Sequence, residues 1–452
     1  MVCRHFSKYK NCQKYFVPTS QIFLSTSKYF LHLVRTDPMY HPFYQNHFVE
    51  KTKTNFLAMV GSVLPNEIWL QIFGYLSTYD ILQNVAVVCR HFYHLCQEKS
   101  LIKELILRNV SCVDVNIPKI REVIVNAKNL QKLVLTYRCE VEEFVIRSLK
   151  SNTHLKHLEI HSIKDSLSQY CVSHIFEKGK NLQFLEIDLM SWTNIEITSF
   201  ANLPKLKCLK LNFVNSVNLV SLANHCQYLE TLHLRNIFED YSEDDLTYLL
   251  HINQNSLKSL YLEGKTFRDR WLSQLDTLCP NLQELGLCHI GKLQNWGARG
   301  ISNLQNLTTL QLKTNTTSST SFCIMFKSKS FTKNLVKLNL SNSTNVNDCV
   351  IKAIGKNCPK LEYLNLDQCH EVREKSMKYI VRNCPNMKKL SLVQVTKLSN
   401  LFLWDFDVYL PKLTFLDLFN GARIRNEYLK YVIQKSEVNL QIRNWKGDVL
   451  VK

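Results

Sequence analysis

Residues 358–366 read Cys-Pro-Lys-Leu-Glu-Tyr-Leu-Asn-Leu, and residues 384–392 read Cys-Pro-Asn-Met-Lys-Lys-Leu-Ser-Leu. Both carry apolar side chains at the fourth, seventh and ninth places. The alternation at the end of each stretch is that of a short strand sending every second side chain into one core. Working outward, the Leu-x-x-Leu-x-Leu pattern recurs with first anchors at Leu130, Leu155, Leu182, Leu206, Leu229, Leu257, Leu282, Leu307, Leu335, Leu361, Met387 and Leu413. Successive anchors lie 23 to 28 residues apart. Weaker copies end the series at Leu440 and Ile442 and precede it at Ile102, Leu105 and Leu107.

A fixed period of this length marks stacked repeats, since one unit cannot bury its own apolar face. The residues between strands return on the other side, and Asp348–Asn357 and Glu374–Asn383 have the spacing of amphipathic helices. Cysteine recurs ahead of the strand, as Cys226, Cys279-Pro280, Cys358-Pro359 and Cys384-Pro385, and follows it at Cys369. The array resembles the cysteine-containing subclass of leucine-rich repeats. The expected fold is therefore α/β, a curved leucine-rich-repeat solenoid with parallel strands on the concave face and helices on the convex face. Strands about 4.8 Å apart predict an inner ladder of roughly 60 Å. The thiols are expected to fill the core as small hydrophobes.

Ahead of the repeats, residues 64–96 read Leu-Pro-Asn-Glu-Ile-Trp-Leu-Gln-Ile-Phe-Gly-Tyr-Leu-Ser-Thr-Tyr-Asp-Ile-Leu-Gln-Asn-Val-Ala-Val-Val-Cys-Arg-His-Phe-Tyr-His-Leu-Cys. Pro65 suits a first helical position, and Ile68, Ile72, Phe73 and Leu76 fall on one helical stripe. Ser77 with Asp80 can cap a second helix, and a third is expected over Cys89–Cys96. Three short helices make a marginal core that gains stability by docking.

This stretch resembles the F-box, through its Leu-Pro-x-Glu-Ile opening, Ile-Phe-x-x-Leu run, Asp-Ile-Leu step and Val-Cys-Arg-x-Phe ending. Phe92 stands where many members have Trp, and Leu101-Ile102 replaces the usual Leu-Trp. The resemblance implies docking to the Skp-type adaptor of SCF ubiquitin ligases, and through it to cullin and RING subunits. By matching position the docking residues are Leu64, Pro65, Ile68, Ile72, Phe73, Leu76, Val88 and Cys89. With the repeats, the chain is similar to the F-box/leucine-rich-repeat family, whose repeats select the protein to be ubiquitinated. The alternative is a repeat scaffold that binds proteins without promoting degradation. The expected domains are a basic, flexible extension over 1–60, an F-box over 61–104, and a solenoid of about 12–14 repeats over 105–452. Within the extension, Val2–Phe6 repeats Val88–Phe92 letter for letter.

The chain carries 56 basic and 38 acidic side chains, a net charge of +18. Residues two, four and six after each anchor should line the concave side. There Lys132, Lys210, Arg235, Lys313, Lys337 and Lys389 face Glu159, Glu186, Asp188, Glu263, Glu284, Asp367 and Asp417. The predicted inner face is not basic, which argues against nucleic acid in the curve. The same positions hold Phe184, Tyr261, Tyr363, Phe415 and Phe419, and exposed aromatics on a rigid scaffold suit a protein partner. The expected partner site is Tyr363, Lys389, Val393, Phe415, Asp417 and Phe419, with Asp367 and Asp417 favouring a basic segment.

No run of about 18 apolar residues suggests a membrane span. Residues 1–36 hold no acid, a weak likeness to a mitochondrial presequence, but their cations are mostly Lys rather than Arg. No secretory signal is visible despite 16 cysteines, so cytosol or nucleus is expected. Cys89, His91, His94 and Cys96 have the composition of a zinc set. On a helix, however, the cysteines and histidines point to opposite sides, so no metal is expected. No phosphate loop, nucleophile elbow or paired-carboxylate motif is present, and glycine is scarce at 11 residues. The expectation is a non-catalytic protein without cofactor.

Overall fold

A computed structural model describes residues 65–76, 88–96 and 101–108 with isolated positions between them, then 129–137, 141–151, 153–162, 167–189, 195–236, 242–264, 267–314, 316–404 and 406–452. The extension over 1–60, Leu64 and the Ser77/Asp80 pair lie outside the described residues. Two compact units are present, one reaching Leu107 and one carrying the array from Gln131 to Lys452.

In the first unit a helix spans Asn66–Phe73 and another spans Arg90–Cys96. Pro65 is the N-cap rather than the first helical residue, one place earlier than its spacing predicts. The amides of Ile68 and Trp69 donate to the Pro65 carbonyl. Trp69, Phe73, Ile81, Val85, Phe92, Leu95 and Cys96 form the core. The Phe92 ring centroid lies 4.7 Å from that of Trp69 and 5.2 Å, edge-on, from that of Phe73. Phenylalanine thus fills the space at position 92 with 1% of its surface left exposed.

The second unit is a leucine-rich-repeat solenoid. Its strands pair in parallel and in sequence order, from Lys132–Tyr137 to Gln441–Arg443. One rung of the register runs from Leu133 through Leu260 and Leu364 to Ile442. The repeat anchors from Leu155 to Leu413 are at most 3% exposed. An antiparallel strand, Val449–Leu450, covers the last edge. Strands about 4.8 Å apart backed by helices packed about 8–10 Å apart bend such a stack toward its strand face.

Several of the returning helices open on a side chain chosen for the purpose. Ser168, Asn218, Ser242, Ser318 and Asn347 each accept a backbone N–H of the first turn. Cys226, Cys279, Cys358 and Cys384 occupy the C-cap position, buried. The Cys226 thiol donates to the Leu203 carbonyl and that of Cys384 to the Cys358 carbonyl, each at 3.5 Å. Asn253 is the C-cap after Cys226, accepting from the Leu229 amide at 2.9 Å. Burial pushes the thiols of Cys226, Cys279 and Cys384 up to about 12, so these sulfurs stay protonated and unreactive.

Most repeats also leave the strand through a left-handed residue seven places after the anchor. Phe213, Asn236, His289, Asn342, Gln368, Gln394 and Asn420 have φ between 48 and 61°. Gly264 and Gly447 take the same place in their repeats. Asn and Gly tolerate this conformation at little cost, whereas Phe213 adopts it only because the packed repeat imposes it.

Candidate binding surfaces

The stripe read from the Asn66–Phe73 helix divides in space. Phe73 is fully buried and belongs to the module core, so its assignment to the docking surface is corrected. The reason is geometric: Phe73 lies about 100° around the helix from Ile72, on the same stripe as Trp69. Ile68, Ile72, Leu76, Val88 and Cys89 are half-buried, and Pro65 is exposed. Ile72, Leu76, Val88 and Cys89 pack part of their surface on the core and keep the rest outward. Tyr75, which the sequence reading passed over, is 74% exposed beside them in the chain. On the second helix Cys96 points inward, and burial pushes its thiol up to about 12. His91 and His94 are exposed.

Along the inner face of the second unit, acids and bases answer one another across strands. The His157 ring stacks on Phe184 at 3.9 Å, and its Nε2 lies 2.6 Å from Glu159. His161 sits between Glu159 and Asp188, at 3.6 and 3.5 Å. The hydrogen bond to Asp188 leads in raising the His161 pKa. Lys210 pairs with Glu186 at 3.2 Å. His233 Nε2 is 2.9 Å from the Ser259 hydroxyl, which donates to Glu284. The Arg235 guanidinium lies 4.3 Å over the Tyr261 ring. That ring lies flat across Gly286, where a Cβ would come within 2.0 Å of it. This network joins residues two, four and six places after different anchors, so only the three-dimensional register reveals it.

Burial, then the charges of Lys210 and Arg235, pushes His233 down to about 3. The unfolded chain takes up this proton near the ordinary histidine value of about 6.5. The contribution of neutral His233 is therefore present above that pH and is lost as pH falls toward the folded value. Thermal melts of wild type and His233→Gln across pH 7 to about 4 should show their stability difference shrinking on acidification; a constant difference would contradict the burial of a neutral ring.

The six residues expected to bind a partner occupy adjoining repeats. Tyr363, Lys389 and Phe415 are register neighbours on consecutive strands. Tyr363, Val393, Phe415 and Phe419 are half-buried, and Lys389 is exposed. Asp417 is 5% exposed. Arg443 grips both of its oxygens, with Nε at 2.8 Å from Oδ1. That guanidinium also lies 5.0 Å from the Phe419 ring centroid. Asp367 accepts from the Ser391 hydroxyl at 2.6 Å, the Val393 amide at 2.8 Å and the Asn365 side chain at 2.9 Å. The charge of Asp417 is thus met by Arg443, whereas Asp367 keeps its charge under hydrogen bonds from neutral groups.

A family model described as F-box-like matches residues 62–108. No curated protein sequence matches the chain. Among solved structures, a chain from the yeast Rad7 and Elc1 complex is similar, with a TM-score of 0.53 and 15% identity, over 92% of this chain and 96% of that one. A leucine-rich-repeat protein of Leptospira interrogans is 18% identical over 76% of this chain and 92% of its own, with a TM-score of 0.38.

Proposed function

We infer that this F-box/leucine-rich-repeat chain is the substrate-recognition subunit of an SCF-type ubiquitin ligase, its first unit docking a Skp-type adaptor and its repeats holding the protein to be ubiquitinated. The observation that carries the reading is the division of apolar residues within the F-box-like module. Trp69, Phe73 and Phe92 complete a core of their own, while Pro65, Ile68, Ile72 and Leu76 retain surface outside it. Half-exposed aliphatics on a module this small are explained by a partner that covers them.

The repeats supply a rigid scaffold for the second task. Their apolar strand positions are spent on the core, so the inner face can vary without loss of fold. Burial also raises the pKa values of Cys171, Cys208, Cys358 and Cys369, which disfavours chemistry at these four thiols. Recruitment of a separate ubiquitin-transferring machinery fits such a chain. Affinity capture of the tagged full chain, probed for a Skp-type adaptor and a cullin, tests the assignment. Recovery of both is expected, and recovery of neither would remove it in favour of a non-degradative binding scaffold.

A further inference from the structure

The outermost row of the inner face changes character in the last repeats. In register order it runs Thr309, Lys337, Tyr363, Lys389, Phe415, Gln441. Cation and aromatic ring alternate on consecutive strands, and the row holds no acid. Lys337 and Lys389 are exposed, and Tyr363 and Phe415 are half-buried. Neither lysine makes an ion pair among the described residues, whereas Lys210 farther back on the same face is paired.

The acids nearest this row already have partners of their own. Asp417 is held by Arg443, and Asp367 by Ser391, Asn365 and the Val393 amide. The row below contributes Asn339, Asn365 and Ser391, which carry no charge. The patch is therefore an aromatic strip with two ammonium groups that make no ion pair among the described residues.

We propose that the strip formed by Lys337, Tyr363, Lys389 and Phe415 binds an extended, acidic protein segment lying across the strands. The spacing sets the pattern. Alternate strands place the two ammonium groups about 10 Å apart. A segment in the extended polyproline II conformation rises about 3.1 Å per residue with three residues per turn, so acids three positions apart share a face and meet both lysines. The apolar residue between them rests on Tyr363, and another beyond rests on Phe415. Carboxylates fit better than phosphates. The ammonium groups act as point charges, and the guanidinium that could fork a phosphate, Arg443, is committed to Asp417. The sign is opposite to the one that counting Asp367 and Asp417 as free acids suggests.

This inference rests on the reading of the inner face as the partner-binding surface and makes no use of the adaptor. The test is retention of the full chain on an array of ten-residue peptides. Each carries a central Leu and two Glu residues separated by two, three, four or six positions, with Gln, Lys and phosphoserine counterparts and a 20-nucleotide single-stranded DNA as competitor. Retention on Glu pairs three apart should exceed that on the Gln peptides by about fivefold, as two exposed ion pairs allow. Lys337→Glu/Lys389→Glu should reverse the preference toward the Lys peptides. The proposal is overturned by equal retention on Glu and Gln, by no retention on any peptide, by retention on phosphoserine alone, or by a charge-reversed variant that keeps the wild-type preference. Displacement by the DNA before any Glu peptide would also overturn it, assigning the strip to nucleic acid. A Tyr363→Ala/Phe415→Ala variant is run in parallel. If it binds as wild type does, capture at this face is wrong. If it loses binding while the charge-reversed variant does not, only the acid preference is wrong.

Discussion

Phe73→Ala should unfold the helical module, while Ile72→Asp should leave it folded and abolish adaptor recovery. The two residues are adjacent in sequence and opposite in consequence. Phe73 is fully buried against Trp69 and Phe92, and truncating such a ring typically costs about 3–5 kcal/mol. A module of this size has little more than that to lose. Ile72 is half-buried, so a carboxylate there can reach water in the free protein. It would have to be dehydrated without a partner beneath an adaptor, which is prohibitive. Hydrogen exchange over 65–96 reports the first effect, and affinity capture of the adaptor reports the second. Loss of protection in both variants would show that Ile72 is core and that the proposed docking stripe is wrong.

Gly355→Val should destabilise the repeat unit by about 3 kcal/mol, through backbone rather than side-chain contact. A Cβ at this position would lie 2.6 Å from the Tyr379 carbonyl carbon, 2.7 Å from its oxygen and 2.8 Å from the Ile380 nitrogen. Backbone of the Glu374–Asn383 helix cannot rotate away as a side chain could. Gly355→Ala decides which effect wins. Helix propensity alone makes it stabilising by about 1 kcal/mol, whereas the contact distances make it destabilising. Thermal or urea denaturation gives the sign, and a stabilised Ala variant would refute the close approach of the two helices. These helices back the strands bearing Lys337 and Tyr363, so the inner strip should loosen with them.

The repeat was legible because its three apolar positions per turn answer to one physical demand, a continuous core, and that demand recurs at every anchor. The helices Asp348–Asn357 and Glu374–Asn383 fall where their amphipathic spacing puts them. Within the F-box-like segment the stripe was legible but its direction was not. Ile68, Ile72 and Leu76 form one row and Trp69 and Phe73 the next, and only the partner helix carrying Phe92 decides which row faces inward. The sequestration of Asp417 was hidden for a different reason. Its partner, Arg443, lies 26 residues away in the weakest copy of the repeat, and a charge count treats each acid as free. The left-handed residue seven places after most anchors had a signal, an excess of Asn, Gln and Gly, but Phe213 and His289 blur it.

If one chain bridges an adaptor to a captured protein, the captured protein is recovered through the adaptor. Partners are crosslinked in cells to the wild-type chain, to Ile72→Asp and to Tyr363→Ala/Phe415→Ala, and each complex is then isolated by its adaptor. A crosslinked partner is expected with wild type and should be lost with either variant, while direct capture of the chain still recovers that partner with Ile72→Asp. Recovery through the adaptor that is undiminished by Ile72→Asp would rule out the bridging role.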